Sequence, residues 1–180
     1  MTLSRTDHML RSLLPGLTAR PNRPNHSASL FDFVTGEARA RHWYVEGGVP
    51  DTVEGRFAML ATIAALVIVR LERIGERGIE ASVALTETFV KVMDSEHREM
   101  GLGDPTLGRT VRKLVSGLSR RVELWRATVA DGSWVEAARD SVYGSDVAAD
   151  ALEHSAVALR KTWSRLDEAA DRALIEGRLS

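Results

Sequence analysis

From Ser29 onward apolar positions recur three and four residues apart, and the alternating β-branched runs of strands are few, so the pattern predicts helices and an all-α protein. Asp51-Thr52-Val53-Glu54 reads as a helix start: an Asp or Thr side chain can accept from the exposed amides, and Glu54 sits in the positive first turn. That helix should run through Arg56 to about Ile74. Its stretch from Phe57 to Val69 is apolar at every position but Thr62, 13 residues or roughly 20 Å of helix. A bilayer core of about 30 Å is too thick for it, and Arg56 and Arg70 flank it, so it reads as a core helix, apolar nearly all round.

The next helix is expected from about Ile79 to Met100, with Leu85, Phe89, Val92 and Met93 facing inward and Gly101 as a left-handed cap. Asp104 and Pro105 restart the chain as N-cap and first helical residue. Leu107, Val111, Leu114, Val115, Leu118, Val122 and Trp125 then share one arc, while Arg109, Arg112, Lys113 and Arg120 lie opposite. Asp131-Gly132 ends that helix, and Ser133-Trp134-Val135-Glu136 is a capping box for a short one that stops near Tyr143-Gly144. Ala148, Leu152, Ser155, Leu159, Leu166 and Ala173, with Trp163 adjoining, mark one long helix or two joined by a bend. Residues 1–28, with Leu10, Leu13, Leu14 and Leu17 and three prolines, read as a short amphipathic helix and a flexible linker. Residues 29–180 read as a single-domain bundle of about six to seven helices.

Composition narrows the chemistry. Without Cys, thiol catalysis, Cys-based zinc sites, iron–sulfur clusters and disulfides are excluded, and a net charge of −1 excludes a strongly basic nucleic-acid binder. The charge is uneven, +3 over residues 1–28 and −3 over residues 132–180. The basic leader suits a transit peptide, but Asp7 and the prolines speak against one. Gly103 to Thr110 matches phosphate-loop spacing with Arg109 in place of Lys; Pro105 removes an amide, Asp104 adds a negative charge and no strand precedes it, so a helix–turn–helix corner fits better. His8, His26, His42, His97 and His154 are scattered; only His97 has acidic neighbours, Asp94 at i−3 and the adjacent Glu96, and neither a second His nor a third ligand lies nearby for a metal site. Met100 reads as core and not as a haem ligand, and no nucleophile elbow is present. No cofactor is expected.

Between Pro105 and Arg126 the balance is six basic residues to one acidic. The stripe Arg109, Arg112, Lys113, Arg120 and Arg121 suits ribosomal phosphates or anionic lipid, and the plainer reading pairs it with acidic residues of the last helix.

A more specific signal comes from Tyr44, the run Val49-Pro50-Asp51-Thr52-Val53-Glu54-Gly55-Arg56-Phe57, Arg70-Leu71, Met93-Asp94 and Arg98-Glu99-Met100-Gly101-Leu102-Gly103-Asp104. Over about residues 40–145 the chain resembles the ubiquinol–cytochrome c chaperone family, assembly factors of the cytochrome bc1 complex in mitochondria and alphaproteobacteria. Gly108, Val111, Lys113 and Tyr143-Gly144 fit more loosely. Ile63 stands where the family often has His, and Arg120-Arg121 where it has Gly-Arg. The resemblance implies an all-α chaperone without catalytic activity that binds newly made cytochrome b as it leaves the ribosome and enters the membrane. It further implies peripheral membrane contact, a second assembly factor, and a place at the cytoplasmic face of a bacterial inner membrane or on the mitochondrial matrix side. Asp51, Thr52, Gly55, Arg56, Arg98, Glu99, Met100, Gly101, Gly103 and Asp104 form either a client surface or a polar network bracing the helices, with Asp51 and Asp104 as caps. Two other classes stay open: a helical protein, even an enzyme, binding an anionic small molecule at the 101–110 corner, and an oligomerisation module built on the last helix.

Overall fold

A computed structural model describes residues 26–99, 107–144 and 146–179, with the helical backbone alone at 96–99 and 107–111. The expected amphipathic segment before His26, the Gly101 cap and the Asp104-Pro105 restart lie outside the described residues. Helices run α1 His26–Ala38, α2 His42–Val45, α3 Val53–Glu72, α4 Glu76–Glu99, α5 Leu107–Asp131, α6 Trp134–Val142, α7 Ala149–Glu168 and α8 Asp171–Ile175. No strand occurs among the described residues, so the fold is all-α.

The order of the bundle follows from α3. Apolar on every side, it can shed water only if surrounded, and α1, α4, α5, α6, α7 and α8 all pack against it. Met59 and the whole run from Ala61 to Leu71 are buried. Trp43, Trp125, Phe89, Leu85 and Leu159 fill the space around it. Arg70 is a departure from the expected flanking charge. Its side chain is only 10% exposed, with Nη2 donating to Asp171 Oδ1 at 2.8 Å and to the Ala169 carbonyl at 3.3 Å, and Nε 3.6 Å from Asp167. The guanidinium thus clamps the end of α3 to the α7–α8 junction.

That junction settles the form of the last segment. Ala169 and Ala170 are extended, which breaks the helix, carries Leu174 into the core and brings Asp171 to Arg70. At the other end of the clamp, Gly75 takes φ +95°, a left-handed conformation that glycine adopts without strain, so α4 begins at Glu76, a turn earlier than the periodicity suggests.

Candidate functional site

Site geometry begins at the first turn of α3. Thr52 is the N-cap, extended, its Oγ1 accepting from Gly55 N at 3.2 Å. Asp51 does not cap; it accepts from Arg56 Nε at 2.6 Å in an ion pair whose side chains are 61% and 65% exposed. This hydrogen bond holds the Asp51 carboxyl below its ordinary pKa range. Gly55 is buried, and a Cβ there would run into the Pro50 carbonyl oxygen, so glycine lets the incoming chain lie directly on the helix. Of these four residues, Thr52 and Gly55 serve the backbone, while Asp51 and Arg56 face solvent.

Arg56 overhangs a groove of about 930 Å³. Phe31, Thr35 and Ala38 of α1 line it on one side, Val53, Phe57 and Leu60 of α3 on the other, and Val92 and Met93 of α4 with Leu114 of α5 line it as well. Val92 and Met93, expected in the core, are half-buried and border the groove, Met93 while also packing against the core. Val45 and Val53 are 56% and 58% exposed along the groove. Tyr44 also lines it, its hydroxyl donating to the Ala38 carbonyl at 2.8 Å, and burial raises the phenol above its ordinary pKa.

Next to the groove at the α3 start, and sharing Glu54, Ala58 and Arg121 with it, a cavity of about 520 Å³ runs between Pro50, Gly55, Arg120, Tyr143 and Ala148. Its floor is a buried polar network. Ser141 Oγ lies 2.6 Å from Thr62 Oγ1 and accepts from Trp125 Nε1 at 3.0 Å. The Ser141 carbonyl accepts from Arg121 Nε and Nη2 at 3.1 and 2.9 Å, and Arg121 Nη1 donates to the Gly117 carbonyl. Arg121 therefore leaves the basic stripe; burial, and then Arg120, lower its pKa. Arg112, Lys113 and Arg120 are exposed, and none meets a carboxylate among the described residues, so the expected pairing with the last helix does not form there. Beside this network Tyr143 donates to the Gly47 carbonyl and meets Ser155 Oγ at 2.6 Å.

The remaining expected residues divide by position. Arg98 and Glu99 lie in the last turn of α4, with side chains outside the described set, as is that of Arg109 at the start of α5; Met100, Gly101, Gly103 and Asp104 lie outside the described residues altogether. The bracing network of Arg56 with Arg98, Glu99 and Asp104 is thus represented only by Arg56, whose hydrogen-bond partner is Asp51.

Comparison with known proteins decides the family. The sequence model of the ubiquinol–cytochrome c chaperone matches residues 45–180. The chain belongs to this family. A crystal structure of the Cbp3 homologue from Brucella abortus superposes with a TM-score of 0.73 at 24% identity, covering 86% of this chain and 87% of that one, and is similar in fold. No curated protein matches the sequence. Family membership makes the chain a chaperone of bc1 assembly in the broad sense.

For a chaperone the groove is the feature that sequence spacing did not isolate. Its walls are residues that read as helix faces, and its signal was the surplus of exposed valines at Val45 and Val53 beside Tyr44. A second juxtaposition was missed. His42 Nδ1 and His154 Nε2 lie 3.1 Å apart, although they read as scattered. Burial, and then His154, push His42 below its ordinary pKa. Among the described residues no group of three or more His, Asp or Glu side chains is placed to hold a metal ion, and no helix is long and apolar enough to cross a membrane.

Proposed function

We propose that this chaperone binds newly synthesised cytochrome b and promotes its assembly into the ubiquinol–cytochrome c reductase, holding an exposed apolar segment of that client in the groove between α1 and α3. The observation that carries the reading is the family match over residues 45–180, to which the groove adds a recess with exposed apolar borders. Desolvating such borders together with an apolar client segment favours association without any covalent chemistry. Arg112, Lys113 and Arg120, exposed and without carboxylate partners among the described residues, with Arg109 on the same stripe in sequence, offer a surface suited to anionic lipid or ribosomal phosphates, which supports a peripheral role at the cytoplasmic face of a bacterial inner membrane. Arg56 and its partner Asp51 belong to the client side, and a second assembly factor is a further partner.

The test is deletion in the source organism, followed by reduced-minus-oxidised spectra of its membranes and quinol–cytochrome c reductase activity. Cytochrome b of the bc1 complex and the activity should fall together while other cytochromes persist, and a plasmid copy should restore both. Normal levels of both would overturn the reading.

A further inference from the structure

The groove carries information about the chemistry of its occupant, and the inference rests on the client reading above. Phe31, Thr35 and Ala38 stand at i, i+4 and i+7 on α1, and Val53, Phe57 and Leu60 repeat that spacing on α3, so each wall offers one helix face about two turns long, roughly 10 Å. Two helical walls with an apolar lining suit the ridge of a third helix. The charges are concentrated. Apart from Arg121, which is committed to backbone carbonyls, every charged lining residue comes from the end where α1 stops and α3 begins: Arg39, Arg41 and Arg56 against Asp51 and Glu54. Asp51 and Arg56 satisfy each other. Arg39 and Arg41 are exposed and meet no carboxylate among the described residues.

We propose that the groove takes a helical segment of another polypeptide, apolar for about two turns and bearing a carboxylate at the end that lies over Arg39 and Arg41. The protein's own residues 1–25 have the wrong sign for that end, with four Arg and one Asp. An anionic membrane fits less well, because the apolar residues line a recess between helices and do not project from a convex face.

The probes are two fluorescent synthetic helical peptides of about 14 residues with one shared Leu/Ala face, one ending in two Glu and the other in two Gln, titrated with the full chain. The Glu-ended peptide should bind about three- to tenfold tighter, since partly exposed charge pairs contribute modestly. That preference should vanish in Arg39→Gln/Arg41→Gln and shrink at high salt. Val45→Ser/Val53→Ser should weaken both peptides alike and leave the preference in place. All four substituted positions are exposed, so the variants keep the fold, which thermal unfolding verifies. Equal binding of the two peptides, or a preference that survives Arg39→Gln/Arg41→Gln, overturns the inference. So does binding to phosphatidylglycerol vesicles that depends on Arg39 and Arg41 while neither peptide binds. The two failures are separable: peptides indifferent to terminal charge sink this inference and leave the deletion phenotype standing, whereas a normal reductase in the deletion strain sinks the client reading and leaves the peptide result unchanged.

Discussion

The two sides of the α3 start are built on opposite terms. Toward α5, α6 and α7, polar groups are buried and satisfied: Trp125 on Ser141, Ser141 on Thr62, Arg121 on the Ser141 carbonyl, Tyr143 on Gly47 and Ser155. Toward α1, apolar side chains stay partly exposed, and Arg39 and Arg41 have no carboxylate beside them among the described residues. A side whose hydrogen bonds close on themselves contributes stability and specifies one packing; a side left open retains surface for a partner. Substitutions on the first side should therefore lower stability, and substitutions on the second should lower binding.

The largest effect is expected at Ser141. Its replacement by Ala leaves Trp125 Nε1 buried without its acceptor and Thr62 with only a 3.4 Å contact to the Ser141 carbonyl. Ser141→Ala should cost about 3 kcal/mol, read as a fall in Tm of about 6–12 °C. Arg112→Ala, exposed and without an ion pair among the described residues, should stay within about 0.5 kcal/mol. Comparable losses at the two positions would break the comparison.

Much of the closed side was legible because it is local. The apolar run Phe57–Val69 announced the buried helix, and Ser133 announced its cap three residues before the amide it accepts from, whereas Asp51 and Thr52 both suited the α3 cap in sequence and the structure gives it to Thr52. The clamp at Arg70 was not, since Asp171 lies 101 residues away and spacing along one helix says nothing of what a distant turn brings to it. His42 and His154 were hidden for the same reason, 112 residues apart. The groove was half legible. Periodicity identified Val92 and Met93 as facing other helices, but whether a neighbour closes over such a face depends on how α1 and α5 pack. Arg121 shows the limit from the other direction: it shares a charge run with Arg120, yet a single step along the helix turns it inward onto a carbonyl.

Gly55 sits between the two sides, lining the 520 Å³ cavity one residue before the Arg56 that overhangs the groove. In Gly55→Ala the new methyl meets the Pro50 carbonyl, a backbone atom that cannot rotate away, and the segment carrying Asp51 and Thr52 must shift. About 1–3 kcal/mol of stability should be lost. Peptide binding in the groove should fall as well, because the Asp51–Arg56 pair moves with the segment. Lost stability with unchanged binding would show that the groove's charged end does not depend on this turn.

The smallest effect is a pH dependence at α2, a short helix that touches both sides: His42 faces His154 of α7, while Tyr44 and Val45 line the groove. A hydrogen bond between two imidazoles needs a lone pair on one nitrogen, so it fails once both rings are charged. His42 has its folded pKa below the ordinary value near 6.5, through burial first and His154 second, with Glu46 and Glu37 opposing and Arg165 adding to the shift. Between those two pKa values the unfolded chain binds more protons than the folded one, so stability is full above about pH 6.5 and declines as pH falls toward the folded pKa. His42→Gln should flatten that part of the stability profile without changing it near neutrality by more than the loss of one hydrogen bond. Tm measured from pH 7.5 down to 5.5 on both proteins checks this, and a slope that persists in His42→Gln would assign the acid sensitivity to other groups and leave α2 with no part in linking the closed side to the open one.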